Sequence, residues 1–282
     1  MNKAVRLMSI LLFMAVSFGV WAQTETANNF APLQKWKSAV LTGDPDTLRA
    51  VYSSTPGAKV QTADGASDVN TDVAFWSGLK VTQLKIDVVK SNSPGAGLQE
   101  LVMQMEVHTP TATTARYVSA GQLWQKQGED WKLVGIQRTG LTRLQQPVSM
   151  DKQIYAEGVD ARAEIKEALD KAAKGNKNVI VVFGANWCLD CHVLDMAFHR
   201  ADFVPVLQKN YEVVHVDIGK GDKNQDLMNE YQVPMKKGIP AVAVLDSHGK
   251  LLASQKNGEF ENARSMGPEE LLKFLNQWKP KA

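Results

Sequence analysis

Cys188 and Cys191 are the only two cysteines in the 282-residue chain. Standing three apart on a helix, they would share a face, with Cβ atoms ~5–6 Å apart. A disulfide asks for Cα atoms ~4.4–6.8 Å apart, so a small local adjustment closes the bridge. Closing so short a loop constrains the unfolded chain by only ~2 kcal/mol. A weak staple of this kind is better explained as a bond meant to open and close. The pair follows a β-branched and aromatic run and opens a helical pattern. Cys188 would therefore stand at a helix N-terminus, where unpaired amides and the helix dipole favour an anion and supply thiolate. That makes Cys188 the expected nucleophile and Cys191, one turn further in, the resolving thiol.

The same residues spell other chemistries. Cys188-Leu189-Asp190-Cys191-His192 has the lettering of a c-type haem attachment site. His192 would then be an axial ligand, with Met228, Met235 or Met266 opposite. A buried strand just before the motif and Gly238-Ile239-Pro240 leading into another strand argue against it, because small c-type cytochromes are mostly helical. One Cys-x-x-Cys supplies half of a structural zinc site, and His199, His215 and His248 show no paired spacing. No cofactor and no metal are expected. A non-catalytic redox-sensing or binding protein is the third alternative. His192 reads as a helix-surface residue, and Asp195 as serving helix electrostatics or a local hydrogen bond.

The elements that must position the pair follow from periodicity. Residues 179–183 are continuously apolar, which suits a strand buried on both faces. Residues 188–200 are helical. An amphipathic helix over 159–174 ends at Gly175-Asn176. Beyond the motif come a short helix (202–209), a strand (211–217), a helix (223–231), strands at 241–245 and 250–254, and a terminal helix from Pro268.

The front of the chain reads differently. A helical rhythm runs from Phe30 to Tyr52, broken at Gly43-Asp44-Pro45. Residues 53–72 read as loop with a short strand, and 72–79 as a short helix. Four strand-like runs follow, at 80–89, 98–108, 116–127 and 130–141, the last two flanking a hairpin turn at Gln127-Gly128-Glu129-Asp130. Helices first and antiparallel strands after indicate an α+β unit. His108 and Arg138 are its polar strand candidates, read as solvent-facing. Trp124 and Trp131 read as packing.

Residues 1–22 have the layout of a secretory signal peptide: Lys3 and Arg6, an apolar run over 7–20, then Val20-Trp21-Ala22 before a cut at Gln23. The apolar run is shorter than the ~20 residues a membrane span needs, so cleavage is expected rather than an uncleaved anchor. No cysteine lies near the cut for a lipid, and no other stretch could span a membrane. Losing Lys3 and Arg6 takes the formal charge from +2 to about zero, which argues against nucleic acid or an anionic surface as partner. Periplasmic or secreted placement would put the cysteines in an oxidising compartment. The expected organisation is a signal peptide (1–22), a tail (23–29), an α+β domain (30–145), a linker (146–158) and an α/β domain (159–282).

Two resemblances add to this. Phe183-Gly184-Ala185-Asn186-Trp187-Cys188-Leu189-Asp190-Cys191 resembles the active site of the thioredoxin family, and Gly238-Ile239-Pro240 resembles its cis-proline loop. The likeness covers residues 159–278 and leans toward the exported branch, including the periplasmic C-terminal domain of the Dsb-system transmembrane reductase. It implies a thioredoxin fold, with a central mixed sheet flanked by helices. It also implies a cis Ile239-Pro240 bond beside the cysteines, Trp187 lining the site, and thiol-disulfide exchange with protein substrates. With no second cysteine pair, a separate redox partner must recharge the dithiol. Val182 stands where thioredoxin has a buried acid, so Asp190 or a water is expected in its role. An Asp190 carboxylate near the sulfurs would favour protonated thiols and a reducing dithiol. Residues 30–144 are similar, in pattern alone, to NTF2-like (SnoaL-like) cone domains, a fold that hosts enzymes, ligand pockets and dimerisation modules.

Overall fold

The computed structural model describes residues 27–147 and 150–281. The segment read as a signal peptide and residues 23–26 of the following tail lie outside the described residues. The chain forms two compact units that divide between Leu141 and Thr142.

In the first unit, helix α1 (Ala31–Thr42) ends at Gly43, whose φ of 67° lets its N–H turn back to the carbonyls of Ala39 and Val40. Helix α2 (Pro45–Arg49) starts from Asp44, whose carboxylate accepts the Thr47 N–H. Asp68 caps α3 (Val69–Gly78) in the same way. Strands β1 (Lys59–Thr62), β2 (Gly65–Ser67), β3 (Gln83–Asn92), β4 (Leu98–His108), β5 (Arg116–Gln127) and β6 (Asp130–Arg138) form one sheet in the order β2-β1-β6-β5-β4-β3. Residues 53–72 thus hold two strands rather than one. β1 lies between β2 and β6, antiparallel to the first and parallel to the second, and leaves Lys59 and Gln61 exposed, so the stretch is too polar to read as a sheet strand. β4 buries Leu101, Met103, Met105 and Val107 against Leu33, Trp36 and Trp76, as its alternation requires. Trp36 and Trp76 meet edge to face at 5.1 Å. Trp124 is fully buried and packs against Phe30.

Arg138 corrects its sequence reading. It is buried, pairs with the fully buried Asp72 on α3 and lies over the Phe75 ring, 3.6 Å from its centroid. Tyr52 donates its hydroxyl to the same carboxylate at 2.5 Å. A buried guanidinium survives only with such partners. His108 stays on the solvent side, 2.7 Å from Glu106.

In the second unit, α4 (Ala161–Gly175) is capped by Asp160. Then follow β7 (Asn178–Gly184), α5 (Leu189–Phe198), α6 (Val204–Asn210), β8 (Tyr211–Asp217), α7 (Gln225–Glu230), β9 (Ala241–Leu245), β10 (Leu251–Ser254) and α8 (Pro268–Gln277). The sheet order is β10-β9-β7-β8, with β8 parallel to β7 and β9 antiparallel to it. Every residue of β7 is buried. Val179, Val181 and Phe183 enter one core with Ile165 and Ala172 of α4. Ile180 and Val182 enter the other with Val193 of α5 and Leu271 of α8. This two-sided burial is what a continuous apolar run demands of a central strand.

Residues 150–158, read as linker, fold into the second unit. Tyr155 is fully buried, and the N–H groups of Ile154 and Tyr155 are taken by the Asn186 side chain. Their hydrogen bonds go to a side chain, not a ladder, so no periodicity marks them.

Candidate active site

β7 ends at Gly184, and the chain turns through Ala185, Asn186 and Trp187 into α5. Cys188 is the N-cap of that helix, its sulfur accepting the Cys191 N–H at 3.2 Å. The two cysteines are bridged, with Cα atoms 5.2 Å apart, inside the range a disulfide prefers. Cys188 is 6% exposed and Cys191 1%, so the first sulfur is the one nearer solvent. The Ile239-Pro240 peptide bond is cis, and the Ile239 carbonyl oxygen stands 3.6 Å from the Cys188 sulfur. Gln255, itself buried, accepts the Val242 N–H and donates to the Pro240 carbonyl, tying down the start of β9 beside the sulfurs. Trp187 is 61% exposed and is oriented by its indole N–H donating to Gly219. It forms an apolar platform next to the bridge.

Two expectations about neighbouring side chains change. Asp190 does not face the sulfurs as an unpaired carboxylate. It is buried, accepts the Arg264 N–H at 2.9 Å and pairs with the Arg264 guanidinium at 3.0 Å. Arg264 sits on a short 3-10 turn (Ala263–Ser265) that periodicity did not mark. The Arg264 guanidinium offsets the carboxylate's charge beside the sulfurs. His192 is not on the helix surface. It is 2% exposed, and its Nε2 lies 2.8 Å from the Asn186 carbonyl oxygen. A haem axial ligand would need that nitrogen free.

Behind the bridge lies a second group of residues. The Asn186 amide receives the two N–H groups of residues 154 and 155 and donates to the Tyr155 carbonyl at 2.9 Å. This clamp presses the Tyr155 ring against Cys188 and Cys191. The ring meets His215 edge to face at 5.3 Å. Burial, and then the charges of Asp195 and Asp217, push the Tyr155 hydroxyl's pKa well above its ordinary value, so it stays a neutral phenol. Asp195 is buried, accepts from Lys152 at 2.6 Å and lies 3.8 Å from His215. Burial lowers the His215 pKa, Asp195 opposing and the charges of His199 and Lys152 adding to the shift. Val182 pairs with His215 across β7 and β8. The position holds no acid, but ionisable groups lie on the neighbouring strand and helix. Sequence reading missed Tyr155, Gln255 and Arg264, and gave Asn186 no role beyond its place in the motif. The signal for the first was the isolated apolar pair Ile154-Tyr155 within a polar stretch.

A cysteine pair bridged at the N-terminus of a helix, beside a cis-proline loop on a four-stranded mixed sheet, defines a thioredoxin-fold thiol-disulfide centre. A family model described as thioredoxin-like matches residues 160–247. Thioredoxin of Callithrix jacchus is 30% identical over 120 residues, 43% of this chain and 95% of that protein. The chain belongs to the thioredoxin-like family through its second unit. The structure of a disulphide isomerase from Xylella fastidiosa Temecula1 is similar at 37% identity, covering 45% of this chain and 97% of that one, with a TM-score of 0.43. An NTF2-like protein of unknown function from Rhodospirillum rubrum is similar at 18% identity, covering 39% of this chain and 94% of that one, with a TM-score of 0.34.

Proposed function

We propose that the protein is an exported thiol-disulfide oxidoreductase that reduces or exchanges disulfides in protein substrates through Cys188 and Cys191. The observation that carries this reading is the bridge's position: the more accessible sulfur caps the helix, and the less accessible one stands a turn inside. In the dithiol form, the N–H groups at the start of α5 stabilise a Cys188 thiolate. That thiolate attacks a client disulfide to give a mixed disulfide, and Cys191 then attacks the Cys188 sulfur and releases the reduced client. Trp187 and the Ile239 backbone border the bridge where a client chain would lie. A separate partner returns the electrons, because Cys188 and Cys191 are the chain's only cysteines. The signal-like residues 1–22 support export. Among the described residues, no helix is long and apolar enough to cross a membrane.

The test is turnover. The protein without residues 1–22, supplied with a dithiol donor, is expected to reduce insulin repeatedly and to equilibrate with glutathione as a two-electron couple, read by thiol alkylation. Cys191→Ser should retain a client as a mixed disulfide on Cys188, visible by mass spectrometry. One oxidation event without turnover would leave a sensor instead.

A further inference from the structure

The Tyr155 hydroxyl is fully buried and has no hydrogen-bond partner among the described residues. A buried donor left unpaired is costly, yet this one is held in place by four hydrogen bonds around Asn186: Ile154 N–H, Tyr155 N–H and the Tyr155 carbonyl, with Gln153 accepting from the same amide. The hydroxyl also has a defined neighbour. A Cβ placed on Gly184 would run into the Tyr155 hydroxyl and, at 2.8 Å, into the Cys191 sulfur. The phenol and the resolving sulfur therefore flank one small space that only glycine leaves open.

From this juxtaposition we infer that Tyr155 is a catalytic residue whose hydroxyl donates a hydrogen bond to the Cys191 sulfur once the bridge opens. The inference rests on the oxidoreductase reading and deepens it. A bridged sulfur is a poorer acceptor than the freed Cys191 sulfur, which accepts weakly as a thiol and strongly once it becomes the thiolate, so the donor is orphaned in the oxidised form and gains a partner when the bridge opens. In the first step the Cys188 thiolate bonds to one client sulfur, the client S–S bond breaks, and its electron pair leaves on the second client sulfur. That client thiolate takes the Cys191 proton. The Cys191 thiolate, held by the Tyr155 O–H, then bonds to the Cys188 sulfur, and the pair of the Cys188–client bond leaves on the first client sulfur. The client gains two electrons and the dithiol loses two. Tyr155 keeps its proton throughout, consistent with its burial beside Asp195 and Asp217.

Tyr155→Phe removes the hydroxyl alone. Against glutathione, the variant's equilibrium constant for bridge formation is expected to rise about tenfold over the unaltered protein, ~30 mV for a two-electron couple. Resolution of the client mixed disulfide should slow about tenfold. In the unaltered protein, the Cζ carbon resonance of Tyr155 should move when a chemical reductant opens the bridge, a readout that needs no variant. Bridge equilibria within twofold of each other, or a Tyr155 resonance unmoved by reduction, would overturn the assignment. Should the unaltered protein fail to exchange with glutathione, the oxidoreductase reading falls, and the Tyr155 resonance after chemical reduction still decides the role of the hydroxyl.

Discussion

Gly184 occupies a position where one carbon atom decides the site. Its φ does not demand glycine; the space does, because Tyr155 and the Cys191 sulfur close over it. Gly184→Ala forces one of them to move. Overpacking of this kind costs ~1–3 kcal/mol, read as a lower urea midpoint at unchanged slope. His215 carries a pH dependence of the opposite origin. Its folded-state pKa lies below the unfolded value of ~6.5, so the unfolded chain binds the proton more readily. The associated stability is fully present above pH ~6.5 and is lost as the pH falls from there through the folded pKa. Urea midpoints should therefore decline as the pH drops below ~6.5, and His215→Gln should flatten that decline. Equal slopes in both proteins would show that other groups set it.

Elements set the environment of the charged residues. α3 and β6 carry Asp72 and Arg138 to one buried point, with Tyr52 completing the carboxylate's bonds. Asp72→Ala would strand a guanidinium among Phe75 and the sheet. Breaking a buried pair from one side costs ~3–5 kcal/mol, measurable by denaturation of the first unit through its tryptophan fluorescence, and a loss under 1 kcal/mol would contradict the pairing. The short 3-10 turn at Ala263–Ser265 does comparable work near the bridge, since Arg264 takes up the Asp190 charge there. Much of this element layer was legible. The alternation of β4 named its buried face residue by residue, and the apolar run in β7 announced a strand covered on both sides. The 3-10 turn at Ala263–Ser265 and the β1–β2 hairpin were not, because three or four residues are too few to show a period.

At the scale of the molecule, each unit has its own core, and the segment at 150–158 belongs to the second. A chain of residues 142–282 is expected to fold and to keep the glutathione equilibrium of the longer protein. One of residues 159–282 lacks Tyr155 and leaves the Asn186 amide without its partners, and should melt at a lower temperature and show an altered equilibrium. Identical melting and equilibrium of the two fragments would remove any role for residues 150–158.

The sequence by itself determined the cysteine pair, the strand-to-helix turn that presents it and the order of elements around it, and the family resemblance pointed to the proline loop. Those features are encoded locally, in spacing, periodicity and turn residues. Only the tertiary structure decided what surrounds the sulfurs. Asp190 meets Arg264 across 74 residues, Asp72 meets Arg138 across 66, and Tyr155 reaches Cys191 through a side-chain clamp on Asn186. Contacts between residues so far apart depend on how packed elements converge, which no local pattern in the chain records.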